Sequence, residues 1–433
     1  MAASDTLAAA LARRNVHYGW VVVAATFFTM LVAAAALGLP GVLIVPLQRE
    51  FGWSTSQISS ALALRLMLFG VLGPFAAAFI NRFGVRIMVG VAMSLIALGF
   101  LGSLGMTAPW QLLLLWGVVV GVGTGLVAMV LAATVAARWF QQRRGLVMGL
   151  LSASAATGQL AFLPLMASVT ERYGWRSSVL LACVLLLAGA AVALLLMRDR
   201  PSDLGLPAYG ATALTPPPDS GTSLLAHMVS PLAVLREAAR VPVFWALAGT
   251  FFICGASTNG LIQTHFVAMC GDYGLAAVAA ASVLAMMGVF DFVGTVGSGW
   301  LSDRFDNRWL LFWYYGLRGL ALLYLPFTDF SVYGLSLFAV FYGLDWIATV
   351  PPTVKLVAER FGPEKAGLVF GWVFAAHQIG AAAAAYGAGW ARTALLTYMP
   401  AFVVAGALCL VAAVAVLCIR RAVPRTASAA VAA

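Results

Sequence analysis

Residues 145–158 read GLVMGLLSASAATG, and residues 367–380 read GLVFGWVFAAHQIG. The two stretches lie 222 residues apart and are identical at positions that include Gly145/Gly367, Leu146/Leu368, Val147/Val369, Gly149/Gly371 and Gly158/Gly380. The same separation aligns the triplet NRF at 81–83 with DRF at 303–305. One shift that aligns two separate segments predicts a duplicated chain with two structurally related halves.

The composition places both halves in a membrane. Of the 433 residues, 63% are hydrophobic and only 9% are charged, whereas a soluble domain carries about 25% charged residues. The apolar residues form runs of about twenty or more, the length that crosses a bilayer core as a helix. Because apolar and polar residues do not alternate within these runs, we expect helices rather than membrane strands.

Twelve spans are predicted, near residues 18–46, 54–79, 85–106, 109–137, 145–169, 177–197, 241–269, 275–300, 309–327, 332–357, 366–392 and 396–419. The expected fold is therefore an all-α membrane protein of 12 transmembrane helices in two six-helix bundles. Its expected domains are an N-terminal bundle (1–197), a cytoplasmic linker (198–240) and a C-terminal bundle (241–433). The linker contains the stretch PAYGATALTPPPDSGTS (207–223), which is rich in Pro, Gly, Ser and Thr and is not expected to pack.

The Lys and Arg residues predict the orientation of the spans. Of the 25, nineteen fall on the side of the N-terminus, four on the opposite side and two, Arg65 and Arg318, inside spans. Because cytoplasmic loops carry the excess of Lys and Arg, both termini are predicted to be cytoplasmic, with a bacterial inner membrane as the location. The net charge of +10 is then a topology signal that suits an anionic lipid surface, and no nucleic-acid partner is expected.

Enzyme, metal and cofactor chemistry find no support in the sequence. The five cysteines lie in or beside apolar spans without the spacing of metal ligands, and we expect them to be small buried hydrophobes: Cys183, Cys254, Cys270, Cys409 and Cys418. Motifs such as HExxH, GxSxG and GxxxxGKS are missing. We therefore expect no enzyme, no cofactor and no metal site.

The loop between spans 8 and 9, GWLSDRFDNR at 299–308, resembles the motif G-x-L-a-D-R-x-G-R-[KR] of the major facilitator superfamily. The first-half copy, AAFINRFGVR at 77–86, has Asn81 where an acid is usual and lacks the leading Gly. In that family the loop acid contacts a neighbouring helix end and helps to hold the outward-facing state. The resemblance implies this conformational role for six residues: Asn81, Arg82, Arg86, Asp303, Arg304 and Arg308.

Three further segments resemble the monocarboxylate transporter branch of that superfamily. They are YGWVVV at 18–23, PLQREFGWS at 46–54 and RWFQQRRGLVMG at 138–149. The branch has a Gly-Trp entry to helix 1 and a W/Y-F-x-x-R-R-x-L-A-x-G segment that opens helix 5. The resemblance implies a secondary transporter, expected to be a monomer, for a small organic anion and protons.

Four charged residues are predicted inside the spans: Arg65, Asp291, Arg318 and Asp345. A charge at the bilayer centre costs from about 2.5 to more than 10 kcal/mol, so such residues usually have partners or a function. Arg318 and Asp345 have similar predicted depths in helices 9 and 10. We expect them to form a structural ion pair.

Arg65 and Asp291 then remain in helices 2 and 8, which the family fold places between the halves. The resemblance associates Asp291 with proton coupling, although Thr295 stands where the branch commonly has an anion-binding Arg. The branch's Lys in helix 1 or 11 is also missing. Arg65 is the remaining cation that could bind a carboxylate bidentately. The alternative is that Arg65 permanently pairs with Asp291 or donates to helix carbonyls.

Other polar residues are candidates for substrate binding. Asn259 and Gln263 are four residues apart on helix 7 and share a face. His377 and Gln378 on helix 11 stand where the first half has alanines, which suggests a specialised second half. A buried His377 could equally be a hydrogen-bonded packing element.

Three functions are compatible with these residues. The first is a secondary transporter for a small organic anion, a monocarboxylate, driven by protons or exchange through alternating access. The second is a proton-driven efflux pump for apolar or cationic compounds, with Asp291 or Asp345 as the cation site. The third is a membrane sensor that uses the fold without transport. Arg65 favours the first function over the second.

Overall fold

The computed structural model describes residues 2–126, 130–214 and 224–419. Residues 215–223 of the predicted linker and the C-terminal residues 420–433 lie outside the described residues. Three of the nineteen basic residues on the N-terminal side belong to that C-terminal segment.

The first long helix, which follows a short helix at Ala2–Ala12, shows how the sequence sets the helix boundaries. Helix α1 (Gly19–Phe51) has 33 residues, about 50 Å at 1.5 Å per residue and thus more than a hydrocarbon core of about 30 Å. It ends at Gly52, whose φ of 69° is left-handed, a conformation that glycine adopts without steric cost. Helix α2 (Thr55–Phe83) begins after Ser54, which forms a capping box with Gln57.

Ten further long helices follow: α3 (Val85–Ser103), α4 (Pro109–Trp139), α5 (Arg144–Tyr173), α6 (Trp175–Leu196), α7 (Pro242–Asp272), α8 (Ala277–Ser302), α9 (Asn307–Tyr324), α10 (Val332–Phe361), α11 (Pro363–Leu395) and α12 (Met399–Leu417). Residues 127–129 within α4 are not described. Helix α10 is interrupted between Val332–Asp345 and Val350–Phe361.

The helices agree with the predicted fold class. Eleven are long and apolar enough to cross a membrane within the described residues, and α5, with 30 residues, has the length to do so. One isolated bridge, Phe140 to Tyr209, is the extent of β-structure in the described ranges. The all-α membrane class is thus confirmed, and twelve helices are consistent with two bundles of six.

The described part of the linker packs more than its composition predicts. The backbone N–H of Tyr209 donates to Trp139 O at 2.8 Å, and the Tyr209 ring contacts Trp20 and Phe140. A helix at Leu224–Ala238 follows, and the Pro231 carbonyl accepts a hydrogen bond from Trp372 Nε1 at 2.8 Å. The expectation of an unpacked linker is therefore wrong at Tyr209, because its ring packs against two aromatic side chains, whereas residues 212–214 are exposed.

The buried apolar residues join the two halves at one end of the molecule. We call this end, opposite the N-terminus of α1, the distal side. There, first-half residues share one cluster with distal residues of the second half such as Phe266 and Leu335. Near the termini, the second half has a separate cluster that contains Phe244, Leu311 and Val369. This shared cluster therefore helps to hold the halves together on the distal side. Nearer the termini, partly buried aromatic side chains such as Phe75 of α2 and Trp372 of α11 also pack across the halves.

A pair of hydrogen bonds related by the repeat connects the halves on the distal side, and we call them the distal contacts. The N–H of Val278, in the first turn of α8, donates to Glu171 Oε1 of α5 at 3.2 Å. The N–H of Ser56, in the first turn of α2, donates to Thr393 Oγ1 of α11 at 3.0 Å. Adding 222 to 56 gives 278, and adding 222 to 171 gives 393. The two contacts therefore occupy equivalent positions in the repeat, and each provides a helix N-terminus with an acceptor from the opposite half.

Candidate functional site

A cavity between the halves is the candidate site. Its empty space is about 370 Å³, including its open mouth. Gly38 of α1 and Leu163 of α5 form its first-half wall, while the other lining residues belong to α7, α8 and α10: Gln263, Leu284, Met287, Gly288, Asp291 and Trp346. Most of this lining is apolar, with few polar groups, as in many small-molecule sites.

Asp291 contributes a carboxylate to the cavity and is otherwise buried. Its Oδ1 accepts hydrogen bonds from Thr295 Oγ1 at 3.0 Å and from the backbone N–H of Ile347 at 2.9 Å. No ion pair of Asp291 occurs among the described residues. The carboxylate is thus held by one hydroxyl and one backbone amide and has no basic side chain bonded to it.

Gln263 lies at the end of a π-helical segment of α7, Ala256–Gln263. Its position in the cavity wall agrees with the tendency of such segments to occur at functional sites. Asn259 belongs to the same segment, is partly buried, and uses its carbonyl to accept from Thr264 Oγ1 at 2.7 Å. The structure thus brings Gln263 and Asp291 together in one cavity, and Asn259 is not among the lining residues.

Arg318 and Asp345 meet directly beside the interruption of α10. Arg318 Nε lies 2.6 Å from Asp345 Oδ2, and the Arg318 side chain is fully buried. Arg318 Nη2 also donates to the carbonyls of Asp345 and Trp346 at 2.5 and 3.1 Å. The guanidinium thus neutralises a buried acid and supplies donors to a broken helix at the same time.

Cys254 is a further partner of Arg318 that the sequence did not predict. Its Sγ accepts from Arg318 Nη1 at 2.8 Å and lies 3.4 Å from Thr349 Oγ1. We expected a cysteine that only fills space, and the structure shows one that contacts a cation. The sequence signal was weak, because Cys254 precedes Arg318 by 64 residues.

Arg65 lies beside the cavity but is not one of its lining residues. It is 4% exposed, and its Nη1 donates to the carbonyl of Leu37 at 3.2 Å, next to Gly38 in the cavity wall. Its buried Nε has no partner, and no acid pairs with Arg65 among the described residues. One of the predicted alternatives, a bond from Arg65 to a helix carbonyl, is therefore present for Nη1. The guanidinium of Arg65 has no counter-ion among the described residues.

Gln378 and His377 lie on α11 near the interface with α2. Gln378 is fully buried, and neither its Nε2 nor its Oε1 has a hydrogen-bond partner among the described residues. Its Cβ packs against Gly70 of α2, where a side chain would not fit. His377 stacks on Phe374 with ring centroids 5.6 Å apart, and its Nδ1 has no partner. These buried polar atoms require water or a ligand, since an unpaired buried amide costs about 1–3 kcal/mol.

The loop motifs bond within their own halves. Arg138 Nη2 donates to Asn81 Oδ1 at 2.6 Å in the first half, and Lys355 Nζ donates to Asp303 Oδ1 at 3.0 Å in the second. Each cation comes from the fourth helix of the same half. Arg82 is exposed, and Arg304 lies 4.1 Å from the Trp300 ring centroid.

Arg86 and Arg308 have equivalent roles at the start of the third helix in each half. Arg86 donates from Nε to Leu194 O near the end of α6, while Arg308 donates from Nη1 to Ile419 O after α12. The N–H of Arg86 donates to the Asp199 carboxylate at 2.9 Å. Gly84, with φ 86°, permits this contact, because a Cβ there would collide with Asp199. In the second half, Asp306 caps the N–H of Arg308 itself at 3.0 Å.

The described residues contain no group of three or more His, Cys, Asp or Glu side chains that could hold a metal ion.

The fold and the cavity define a class of protein: a multi-pass helical membrane transporter with a cavity between two halves. The profile of the Major Facilitator Superfamily matches residues 26–385. The chain therefore belongs to this superfamily, which comprises transporters and is not an enzyme class, and it is a secondary transporter.

Similar proteins indicate which branch of the superfamily this chain resembles. Monocarboxylate transporter 13 of Rattus norvegicus is 30% identical over 395 residues, covering 90% of this chain and 86% of that protein. An uncharacterized MFS-type transporter, YcxA, of Bacillus subtilis (strain 168) is 23% identical over 354 residues, with coverage of 80% and 81%. The predicted similarity to monocarboxylate transporters is thus confirmed.

Solved structures show the same fold. A D-xylose-proton symporter has a TM-score of 0.68 at 15% identity, covering 94% of this chain and 98% of that chain. The xylose transporter XylE from E. coli, in a partially occluded inward open conformation, has a TM-score of 0.65 at 15% identity, with coverage of 92% and 98%. At this identity the likeness concerns the fold alone.

Proposed function

We propose that the chain is a proton-coupled transporter of a small organic anion, a monocarboxylate, that works by alternating access. It would operate as a monomer in a bacterial inner membrane with both termini in the cytoplasm, where most of its Lys and Arg residues would face. The names of its relatives support this substrate class. The observation that carries the proposal is the pair of unneutralised charges, Asp291 in the cavity wall and Arg65 beside it.

These charges explain why an anion and a proton would travel together. A buried Arg65 without a counter-ion is costly in a membrane, and a substrate carboxylate would provide that counter-ion through a bidentate contact. Asp291 is a buried carboxylate without a bonded cation, so a proton would neutralise it. The loaded carrier would therefore be nearly neutral in the cavity, and such a state reorients at the lowest electrostatic cost.

The polar residues around these charges would position the substrate. Gln263 offers an amide in the cavity wall. Gln378 has two buried polar atoms that lack partners, and His377 has one. Asn259 would act one turn further along α7. After release of the substrate, loss of the proton from Asp291 would reset the carrier.

The test is uptake by proteoliposomes of labelled monocarboxylates, with and without an inward proton gradient. Arg65→Lys keeps the charge but loses the planar fork, so we expect the apparent KM to rise about tenfold while membrane insertion is unchanged. The matched control is Arg49→Lys, at an exposed position of α1. Uptake by Arg65→Lys equal to that of the parent would exclude Arg65 from the site.

Asp291→Asn tests the proposed role of Asp291 in proton coupling. It mimics the protonated acid, so exchange of internal for external substrate should persist while gradient-driven accumulation is lost. Exchange needs only the loaded carrier to reorient, whereas net uptake needs the proton to leave. The control is Asp329→Asn, an acid in the exposed loop before α10. Gradient-driven uptake by Asp291→Asn would contradict the assignment of Asp291.

One observation favours a second candidate, an efflux pump for apolar or cationic compounds. Of the described residues that line the cavity, Asp291 is the one that carries a charge, and most of the others are apolar. Export of a lipophilic cation that requires Asp291 but not Arg65, without uptake of any monocarboxylate, would favour this function over the first.

A further inference from the structure

The interruption of α10 leaves backbone groups that the helix itself cannot satisfy. Pro351 and Pro352 have no N–H, so the carbonyls four residues earlier, at Ile347 and Ala348, lose their usual helical donors. The Ile347 carbonyl accepts instead from the N–H of Val350 at 2.8 Å. The Ala348 carbonyl needs a donor from another helix, because a buried carbonyl without a donor is destabilising.

Ser298 of α8 supplies that donor. Its Oγ donates to Ala348 O at 2.5 Å, and the side chain is 1% exposed. Two neighbouring side chains bond to other backbone groups of the interrupted segment. Asp291 accepts from the N–H of Ile347, and Arg318 donates to the carbonyls of Asp345 and Trp346.

Close packing keeps α8 and α10 in register at this point. A Cβ on Gly294 would collide with the carbonyl of Leu344, so the two backbones are in contact just before the interruption. Asp291 and Ser298, one turn before and one turn after Gly294, thus face the same short segment of α10. Trp346 in that segment and Asp291 both line the cavity.

We propose that Ser298 is a positioning residue whose hydroxyl replaces the backbone donor that Pro352 lacks. This bond keeps the N–H of Ile347 in place to donate to Asp291, and it keeps Trp346 in the cavity wall. Ser298 is not among the lining residues of the cavity and acts through the segment 346–349. The positional part of this inference stands on the structure alone, whereas its effect on transport rests on the proposed function.

The experiment compares variants by amide hydrogen exchange of peptides that cover residues 344–350, in the full-length protein reconstituted in nanodiscs. Ser298→Ala should raise the exchange rate of this segment at least about 5-fold, the factor expected when one buried hydrogen bond is lost. Ser282→Ala is the matched control, because its hydroxyl lies on the same helix and bonds only to Val278 O of that helix. It should leave the exchange rate of the segment unchanged.

Two rescues separate a missing donor from general damage to the helix. Ser298→Thr keeps the hydroxyl and should exchange at the parental rate. Pro352→Ala restores the backbone N–H at position 352. The double variant Ser298→Ala/Pro352→Ala should therefore return the exchange rate of the amides in residues 344–350 toward the parental rate. The inference is overturned if Ser298→Ala leaves the segment protected, or if neither Ser298→Thr nor the double variant restores protection.

A second measurement follows the effect on the cavity, with labelled pyruvate as the probe in proteoliposomes. Ser298→Ala should raise the apparent KM for pyruvate about 5-fold and change the maximal rate less, since the cavity wall is displaced and no reacting group is lost. Ser282→Ala should change neither. An unchanged KM in Ser298→Ala would overturn the positioning role, whereas absence of pyruvate uptake by the parent would concern the proposed substrate and leave hydrogen exchange to decide.

Discussion

The distal contacts allow an estimate of how firmly the side opposite the termini is held closed. If that side opens during transport, the bonds from Val278 N–H to Glu171 and from Ser56 N–H to Thr393 must break. Their lengths, 3.2 and 3.0 Å, are ordinary, and both lie at exposed positions, so each should contribute about 0.5–1 kcal/mol. Removing both should shift the equilibrium by about 1–2 kcal/mol, a factor of about 5 to 30 in the open fraction.

The variant Glu171→Ala/Thr393→Ala measures this shift. A reporter cysteine at Leu163, a buried position in the cavity wall, would react with a membrane-impermeant maleimide only while the distal side is open. Its labelling rate from the distal side should rise about 5- to 30-fold in the double variant, and about 2- to 5-fold in each single variant. The same chain without the reporter gives the background from the native cysteines.

Glu50→Gln is the control for a distal acid without a partner in the other half. Glu50 Oε1 lies 2.6 Å from Arg176 Nη2, and Glu50 also accepts from Trp175 Nε1; both partners belong to its own half. Its loss should leave the labelling rate unchanged. The reasoning is refuted if the double variant labels at the parental rate, or if Glu50→Gln accelerates labelling as much.

Two further changes test the packing beside the site. Arg318→Leu leaves the Asp345 carboxylate buried without a cation and should lower stability by about 3–5 kcal/mol, measured as the loss of monodisperse protein on heating. Exchanging the two residues should recover only part of this stability, because Arg318 also donates to two carbonyls of α10. Full recovery of the stability would contradict that second role. Gly294→Ala should prevent the close approach to Leu344, whereas Gly297→Ala, which meets nothing within 4 Å, should behave as the parent in the same assay; equal behaviour of both would refute the contact.

The fold could be predicted because membrane spans are governed by a single simple constraint. Apolar runs of sufficient length must become helices, since no water is available to satisfy their backbone groups. The sequence also predicted repeated halves, because the separation of 222 residues recurs in two segments. Where helices extend beyond the apolar run, prediction was less successful: α1 continues to Phe51, five residues past the predicted end, since polar residues at a membrane surface can remain helical.

The site was less predictable, because its contacts join backbone groups of one helix to side chains of another. The charge inventory suggested Arg318 and Asp345 as partners, and the structure places them 2.6 Å apart. A bond from Arg65 to a helix carbonyl was one of the predicted alternatives, but nothing in the sequence identified Leu37 O as the acceptor. The role of Ser298 had one usable signal, since two successive prolines imply a carbonyl in need of a donor, but the donor's identity depends on which helix packs there.

The polar residues around α10 lack polar counterparts in the first half of the repeat. Subtracting 222 from the positions of Asp291, Ser298, Arg318 and Asp345 gives residues without a polar side chain in the first half: Phe69, Ala76, Ile96 and Gly123. Positions 129 and 130 likewise hold Met and Val in place of the two prolines. If these polar side chains were independent, some of them should have counterparts in the other half. Their joint presence in one half is the pattern expected when each exists to satisfy the same interrupted helix, whose open turn places Trp346 in the cavity and the N–H of Ile347 on Asp291.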